Sequence, residues 1–110
     1  MTRSLPPVHP GEMLVEEFLK PLGLTQTRVA HDTGLRLARV NQICLGKRSI
    51  TADTDLRLCR YFGLSEGWWL RLQAHYDLEA AKRELGPRLA KECRVLPRKN
   101  GRLVVLKRTG

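Results

Sequence analysis

No apolar run in this chain approaches the about 18 residues that a membrane-spanning helix needs, and its first residues lack the apolar segment of a secretion signal. The three cysteines, Cys44, Cys59 and Cys93, are odd in number and include no Cys-x-x-Cys pair. That argues against a disulfide framework and against a zinc site, and it makes a reducing cytoplasm the expected compartment. Cys44 and Cys59 sit among apolar helical positions, which suits core packing. There is no nucleophile elbow, metal motif or phosphate loop. His9, His31 and His75 fall in unrelated segments, and the adjacent His31 and Asp32 would point apart on a helix. The expectation is therefore a protein that is not an enzyme, with no catalytic residue, no metal and no cofactor.

Acidic residues are also scarce. Asp and Glu total 11 against 20 Lys and Arg, a formal net charge of +9. Such a chain attracts polyanions, of which DNA and RNA are the commonest, or else carries a solvated basic surface with no special partner. The 110 residues, 42% of them hydrophobic, suffice for one domain with a modest core. The charge is unevenly spread: residues 1–85 hold 12 basic and 10 acidic residues, and residues 86–110 hold 8 basic and 1 acidic. A second basic stretch holds Arg28, Arg36, Arg39, Lys47 and Arg48 against Asp32 alone.

The division expected is an irregular segment 1–10, a helical domain 11–86 and a basic tail 87–110. Pro6, Pro7 and Pro10 bar a helix at the start. A first helix is expected from Gly11 to Lys20, with Leu14–Phe18 and Val15–Leu19 as its apolar stripe and Pro21 and Gly23 as its stop. Thr25 caps a second helix that ends at Gly34, and a third covers Arg36 to Leu45. Thr51 caps a fourth that runs to Phe62, with Leu56, Cys59 and Phe62 inward. Ser65 caps a fifth from Glu66 to Leu85, with Trp69, Leu72 and Tyr76 inward, stopped by Gly86-Pro87.

The tail reads in one of two ways. Asn100-Gly101 between short apolar runs is a hairpin signal, with Pro97 confining its strand to an edge. In that case Leu103 and Val105 share one face and Val104 and Leu106 the other. Alternatively, the tail is a disordered basic segment.

Between the second and third helices the spacing is more specific. Ala30 is small where the two helices must meet, Gly34 supplies the bend, and Val29, Leu35, Val40 and Ile43 supply the apolar lock. Thr33 stands where an apolar residue is commoner. This is the pattern of a helix-turn-helix, whose second helix enters the major groove of DNA. The third helix would then present Arg36, Ala38, Arg39, Asn41 and Gln42 to the base edges, where Arg suits guanine and Asn or Gln suits adenine. Thr25, Gln26, Arg28, Lys47 and Arg48 suit phosphates.

Three stretches resemble HigA-family antitoxins, also called VapI-like proteins. They are His9-Pro-Gly-Glu with Glu17-Phe-Leu-Lys-Pro-Leu-Gly-Leu-Thr, then Asn41-Gln-Ile-Cys-Leu-Gly-Lys-Arg-Ser-Ile-Thr-Ala-Asp-Thr, then Trp69-Leu-Arg-Leu-Gln-Ala-His-Tyr-Asp-Leu. The resemblance spans residues 7 to 85. It implies an all-α, five-helix lambda-repressor-like fold of the Xre type and a homodimer. It also implies repression of the chain's own operon through double-stranded operator DNA, and neutralisation of a HigB-like mRNA-cleaving toxin. The alternative is an Xre-type repressor without a toxin partner. The chain departs from the pattern at Arg36, where Ser or Pro is usual, and at Leu37 and Ala38, which are less polar than in many relatives. On the fifth helix Trp68, Trp69, Tyr76 and Leu78 carry more apolar surface than a monomer of this length can cover. Helical spacing makes the three aromatics core or dimer interface, and a symmetric dimer is expected through this helix, with these four residues, or through the tail.

Overall fold

The computed structural model describes residues 7–103. The first helix, α1, covers residues 10–22 in three stretches: Pro10–Met13 is α-helical, Leu14–Leu19 is π-helical and Lys20–Leu22 is α-helical again. The wide turn changes which side chains align. Leu14 and Leu19, five apart, are the buried pair, whereas Val15 and Phe18 are half-buried. An i→i+5 ladder places residues five apart over one another, so the four-residue stripe read from the sequence is rearranged. Pro21 does not stop the helix as expected; the chain continues to Leu22 and ends at Gly23. A proline ring collides with the carbonyl four residues back in an ideal α-helix, and a wider turn just before it opens that ladder.

Helix α2 (Gln26–Thr33) follows, then α3 (Leu37–Cys44), α4 (Ala52–Phe62) and α5 (Trp68–Glu92). A closing hairpin pairs β1 (Arg98–Lys99) antiparallel with β2 (Arg102–Leu103). The hairpin reading of the tail is thus the correct one as far as Leu103; Val104, Val105 and Leu106 lie outside the described residues.

The core forms where α1 to α5 meet, around Leu14, Val29, Val40, Ile43, Leu58 and Trp69. Trp69 is 0% exposed. Burying one such aromatic removes roughly 150–250 Å² from water, worth about 4–6 kcal/mol before ordering entropy is charged. Phe18 joins the cluster, with ring centroids 4.6 Å from Phe62 and 5.2 Å from Trp69. Gly11 lets α1 come this close to α3, because a Cβ there would lie 1.7 Å from the Ile43 carbonyl oxygen.

Two expectations about α4 and α5 are overturned. Leu56 is 49% exposed, and Leu58 is buried in its place beside Cys59. Ser65 does not cap α5. The N-cap is Gly67, and the first-turn amides are taken by a buried carboxylate from α4. Asp55 Oδ2 accepts from the Gly67 N–H at 2.7 Å, and Oδ1 accepts from Trp69 and Leu70 at 2.9 and 3.0 Å. A helix begins with amides that need outside acceptors, and a charged acceptor satisfies them best.

Gly86-Pro87 does not end α5 either. The helix continues through both residues to Glu92, so the expected boundary at 86/87 falls inside one element. Pro87 cannot donate to the ladder. On a helix wholly open to solvent, one missing bond is tolerated. The helix is 25 residues long, about 37 Å at 1.5 Å per residue. Its first half packs on the core, and every residue from 86 to 103 is exposed. The molecule accordingly stretches to 60 Å along its long axis.

Candidate nucleic-acid interface

The turn between α2 and α3 is built by three residues. Gly34 has φ 77 and donates its N–H to the Ala30 carbonyl at 3.0 Å. This left-handed cap is cheap for glycine alone, and a Cβ would also meet Arg57 Nη1 at 2.7 Å. Thr33, the departure from the usual apolar residue, is buried and useful. Its hydroxyl donates to the Val29 carbonyl at 2.6 Å and accepts from the Leu35 N–H at 3.3 Å. Arg57 reaches across from α4 and donates Nη1 to the Thr33 carbonyl at 2.8 Å, satisfying a free end of α2. The apolar lock is as expected: Val29, Ala30, Leu35, Val40 and Ile43 are all buried.

With α3 held this way, Arg36, Ala38, Asn41 and Gln42 are exposed and Arg39 is half-exposed. Arg36 is the N-cap of α3 but gives it no side-chain bond, so its guanidinium is left to solvent. Two of the polar side chains are held in place. Asn41 Nδ2 donates to Gln26 Oε1 at 3.1 Å, and Arg48 Nε donates to Gln42 Oε1 at 3.0 Å. The expected base-reading amides are therefore each tied to an expected phosphate-binding residue.

The remaining phosphate candidates differ among themselves. Thr25 caps α2, accepting from the Arg28 N–H at 3.0 Å. Lys47 is exposed in the loop after α3. Arg28 is turned toward Asp32, its Nε donating at 2.7 Å. Asp32 also accepts from the Tyr61 hydroxyl of α4 at 2.7 Å. That hydroxyl, Arg28 and His31 in turn hold the Asp32 carboxyl at about 2. The same bond raises the Tyr61 phenol.

Sequence reasoning missed the residue that anchors the loop bearing Lys47 and Arg48. Gln73 of α5 is buried, and its Oε1 accepts from the Ile50 N–H at 2.8 Å. Its Nε2 donates to Asp77 at 3.0 Å. Asp55 was missed as well, although a signal was present. Asp55, Leu58, Cys59 and Phe62 stand at i, i+3, i+4 and i+7, which places the carboxylate on the apolar stripe.

The helix-turn-helix family profile matches residues 15–69, half of the chain. Virulence-associated protein I of Dichelobacter nodosus is 46% identical over 81 residues, covering 74% of this chain and 75% of that protein. The chain belongs to this helix-turn-helix family. Among solved structures, a HigA-family addiction module antidote protein from Coxiella burnetii matches with TM-score 0.78 and 38% identity, covering 83% of this chain and 99% of the other. Pseudomonas aeruginosa antitoxin HigA, solved with the higBA promoter, matches with TM-score 0.78 and 35% identity over 83% and 99% of the two chains. The family is one of helix-turn-helix antitoxins and repressors, not of enzymes.

The aromatic residues of α5 need one correction within this family fold. Trp69, expected at a dimer interface, is fully buried in its own core and has no surface to offer a second copy. Trp68 is half-buried, with its ring 4.9 Å from Trp69. Tyr76 is half-buried against the edge of His9, whose Nδ1 caps α1 by accepting from the Gly11 N–H at 2.9 Å. Desolvation lowers the His9 pKa, which suits a neutral acceptor. Leu78 is 59% exposed. No group of three His, Cys, Asp or Glu among the described residues could hold a metal, and no helix there is long and apolar enough to cross a membrane.

Proposed function

We infer that this chain is a HigA-type antitoxin that binds operator DNA as a dimer, represses its own operon and neutralises an mRNA-cleaving toxin in the cytoplasm. The observation that carries the reading is the braced turn of Thr33, Gly34 and Arg57, which leaves the polar face of α3 outward with cations around it. In this reading residues 11–86 are the DNA-binding domain and 87–110 a basic tail. Arg36, Ala38, Arg39, Asn41 and Gln42 face the base edges, and Thr25, Gln26, Arg28, Lys47 and Arg48 face phosphates. The bonds from Asn41 to Gln26 and from Gln42 to Arg48 preset the amides before contact. Each is exposed and worth about 1 kcal/mol, so a base edge can replace it at little cost. Trp68, Tyr76 and Leu78 supply apolar surface for the dimer.

Two measurements test this. The dimer should prefer the DNA upstream of its own gene, with half-sites about 10 bp or 34 Å apart. It should also co-purify with the product of a small neighbouring gene and stop that product cleaving mRNA. Preference for upstream DNA without a toxin partner would leave a stand-alone repressor, and no preference at all would refute the DNA reading.

A further inference from the structure

The cations of this molecule fall into two sets. Lys20, Arg28, Arg57 and Lys82 each pair with a carboxylate on their own helix. Arg36, Arg39, Lys47 and Arg48 around α3 make no such pair among the described residues, and residues 86–103 of the arm add more cations of that kind. In the arm Arg88 meets Glu92 at 3.4 Å. Lys91, Arg94, Lys99 and Arg102 make no ion pair among the described residues, and all are exposed.

The hairpin sharpens the point. Asn100 has φ 52 and Gly101 φ 75, both positive, which is the tight turn matched to the twist of two strands. It sets Lys99 directly across from Arg102 and Arg98 across from Leu103. Like charges opposite one another on a ribbon are destabilising, so a hairpin that served only folding would carry opposite signs there. An anion seated between Lys99 and Arg102 removes the repulsion. A two-stranded ribbon is also narrow enough to enter the major groove of a duplex.

We propose that the C-terminal arm, centred on the Arg98–Leu103 hairpin, is a second DNA-contacting surface that binds backbone phosphates without reading sequence. It deepens the reading above, on which it rests for the identity of its ligand. The arm lies outside the helix-turn-helix match at 15–69. A second copy of this chain is the competing occupant, since Val95 is 86% and Leu96 53% exposed. The charge favours DNA: two such arms meeting would bring their unpaired cations together.

The test uses the full chain, a triple variant Arg98→Gln/Lys99→Gln/Arg102→Gln, and a charge-keeping variant Arg98→Lys/Arg102→Lys. Each is titrated at several salt concentrations against a random duplex and against the DNA upstream of the gene, with sedimentation run in parallel. The log–log salt slope of the triple variant should shrink by about 0.9 for each phosphate that it no longer neutralises, on both duplexes, while the charge-keeping variant holds its slope. An unchanged slope on both duplexes would overturn the proposal. So would a triple variant that falls to monomer and keeps its slope per bound protomer, which would assign the arm to the dimer. The two readings fail separately. A lowered slope without preference for upstream DNA would sustain the arm and sink the operator reading, and an unchanged slope with that preference would do the reverse.

Discussion

Residues 10–77 and residues 86–103 are held together by different means. In the first region each helix buries a face, and long-range bonds join the elements: Asp55 to the start of α5, Gln73 to Ile50, Arg57 to Thr33, Tyr61 to Asp32. In the second region every residue is exposed, and its helix end and hairpin rest on local backbone chemistry. The first region therefore folds as one cooperative body, and the second is ordered without being needed for that body. The contrast explains why the arm can carry unbalanced charge. Water screens part of the repulsion there, and what remains falls on the hairpin and not on the packed body.

The strongest way to break this comparison is to remove Asp55. Asp55→Ala strands three amides near the core, and each unsatisfied donor costs about 1–3 kcal/mol, so a loss of about 3 kcal/mol or more is expected in denaturant unfolding. The hairpin resonances of residues 98–103 should not move. A loss below about 1 kcal/mol would show that the α5 start finds other acceptors.

Next is Gln42→Ala, expected to cost about 1–3 kcal/mol on the upstream site and little on a random duplex. Equal losses on both would show that α3 does not read sequence.

A smaller effect is expected from acid. Asp32 sits at about 2 against an ordinary 3.8, through Tyr61 first and then Arg28 and His31. The unfolded chain takes up this proton more readily than the folded one. The bond to Tyr61 therefore stabilises the fold fully above about pH 4, and that contribution fades as the pH falls toward 2. Asp32→Asn should flatten the acid limb of stability in that window and leave the slope near neutrality alone, as circular dichroism can check.

Least of all is expected from the arm. Leu96→Ala should change unfolding stability by no more than about 0.5 kcal/mol, because Leu96 is 53% exposed and lies outside the buried core. A larger loss would mean that the arm packs on the domain or on another copy in solution.

Much of the domain could be read in advance because its signals are local. Thr25 and Thr51 cap the helices that they precede. Ala30, Gly34 and the apolar lock marked the turn, and with it the exposed face of α3. Asn100-Gly101 marked the hairpin. Each depends on the preferred φ of one residue or on the reach of one hydroxyl to an amide three residues on, and sequence carries both directly.

Where the reading failed, the deciding partner was far away along the chain or was the surrounding solvent. Ser65 was a sound local cap, but Asp55, 14 residues before Trp69, reached the α5 amides from the packed neighbouring helix. Leu56 was apolar and within one turn of Cys59, yet the face of α4 that carries Leu58 and Cys59 is the one that packs on the core. Trp69 was read both as inward and as interface, and the core took it whole. Pro21 and Pro87 looked like stops, but a π turn relieved the first and open solvent tolerated the second. The amino-acid order by itself determined where α2 and α4 begin, where the chain turns and which side chains of α3 are exposed, since these follow from torsions and neighbours a few residues apart. Only the tertiary structure decided which carboxylate caps which helix, which apolar residues are buried and how far α5 runs, since these depend on groups that folding alone brings together.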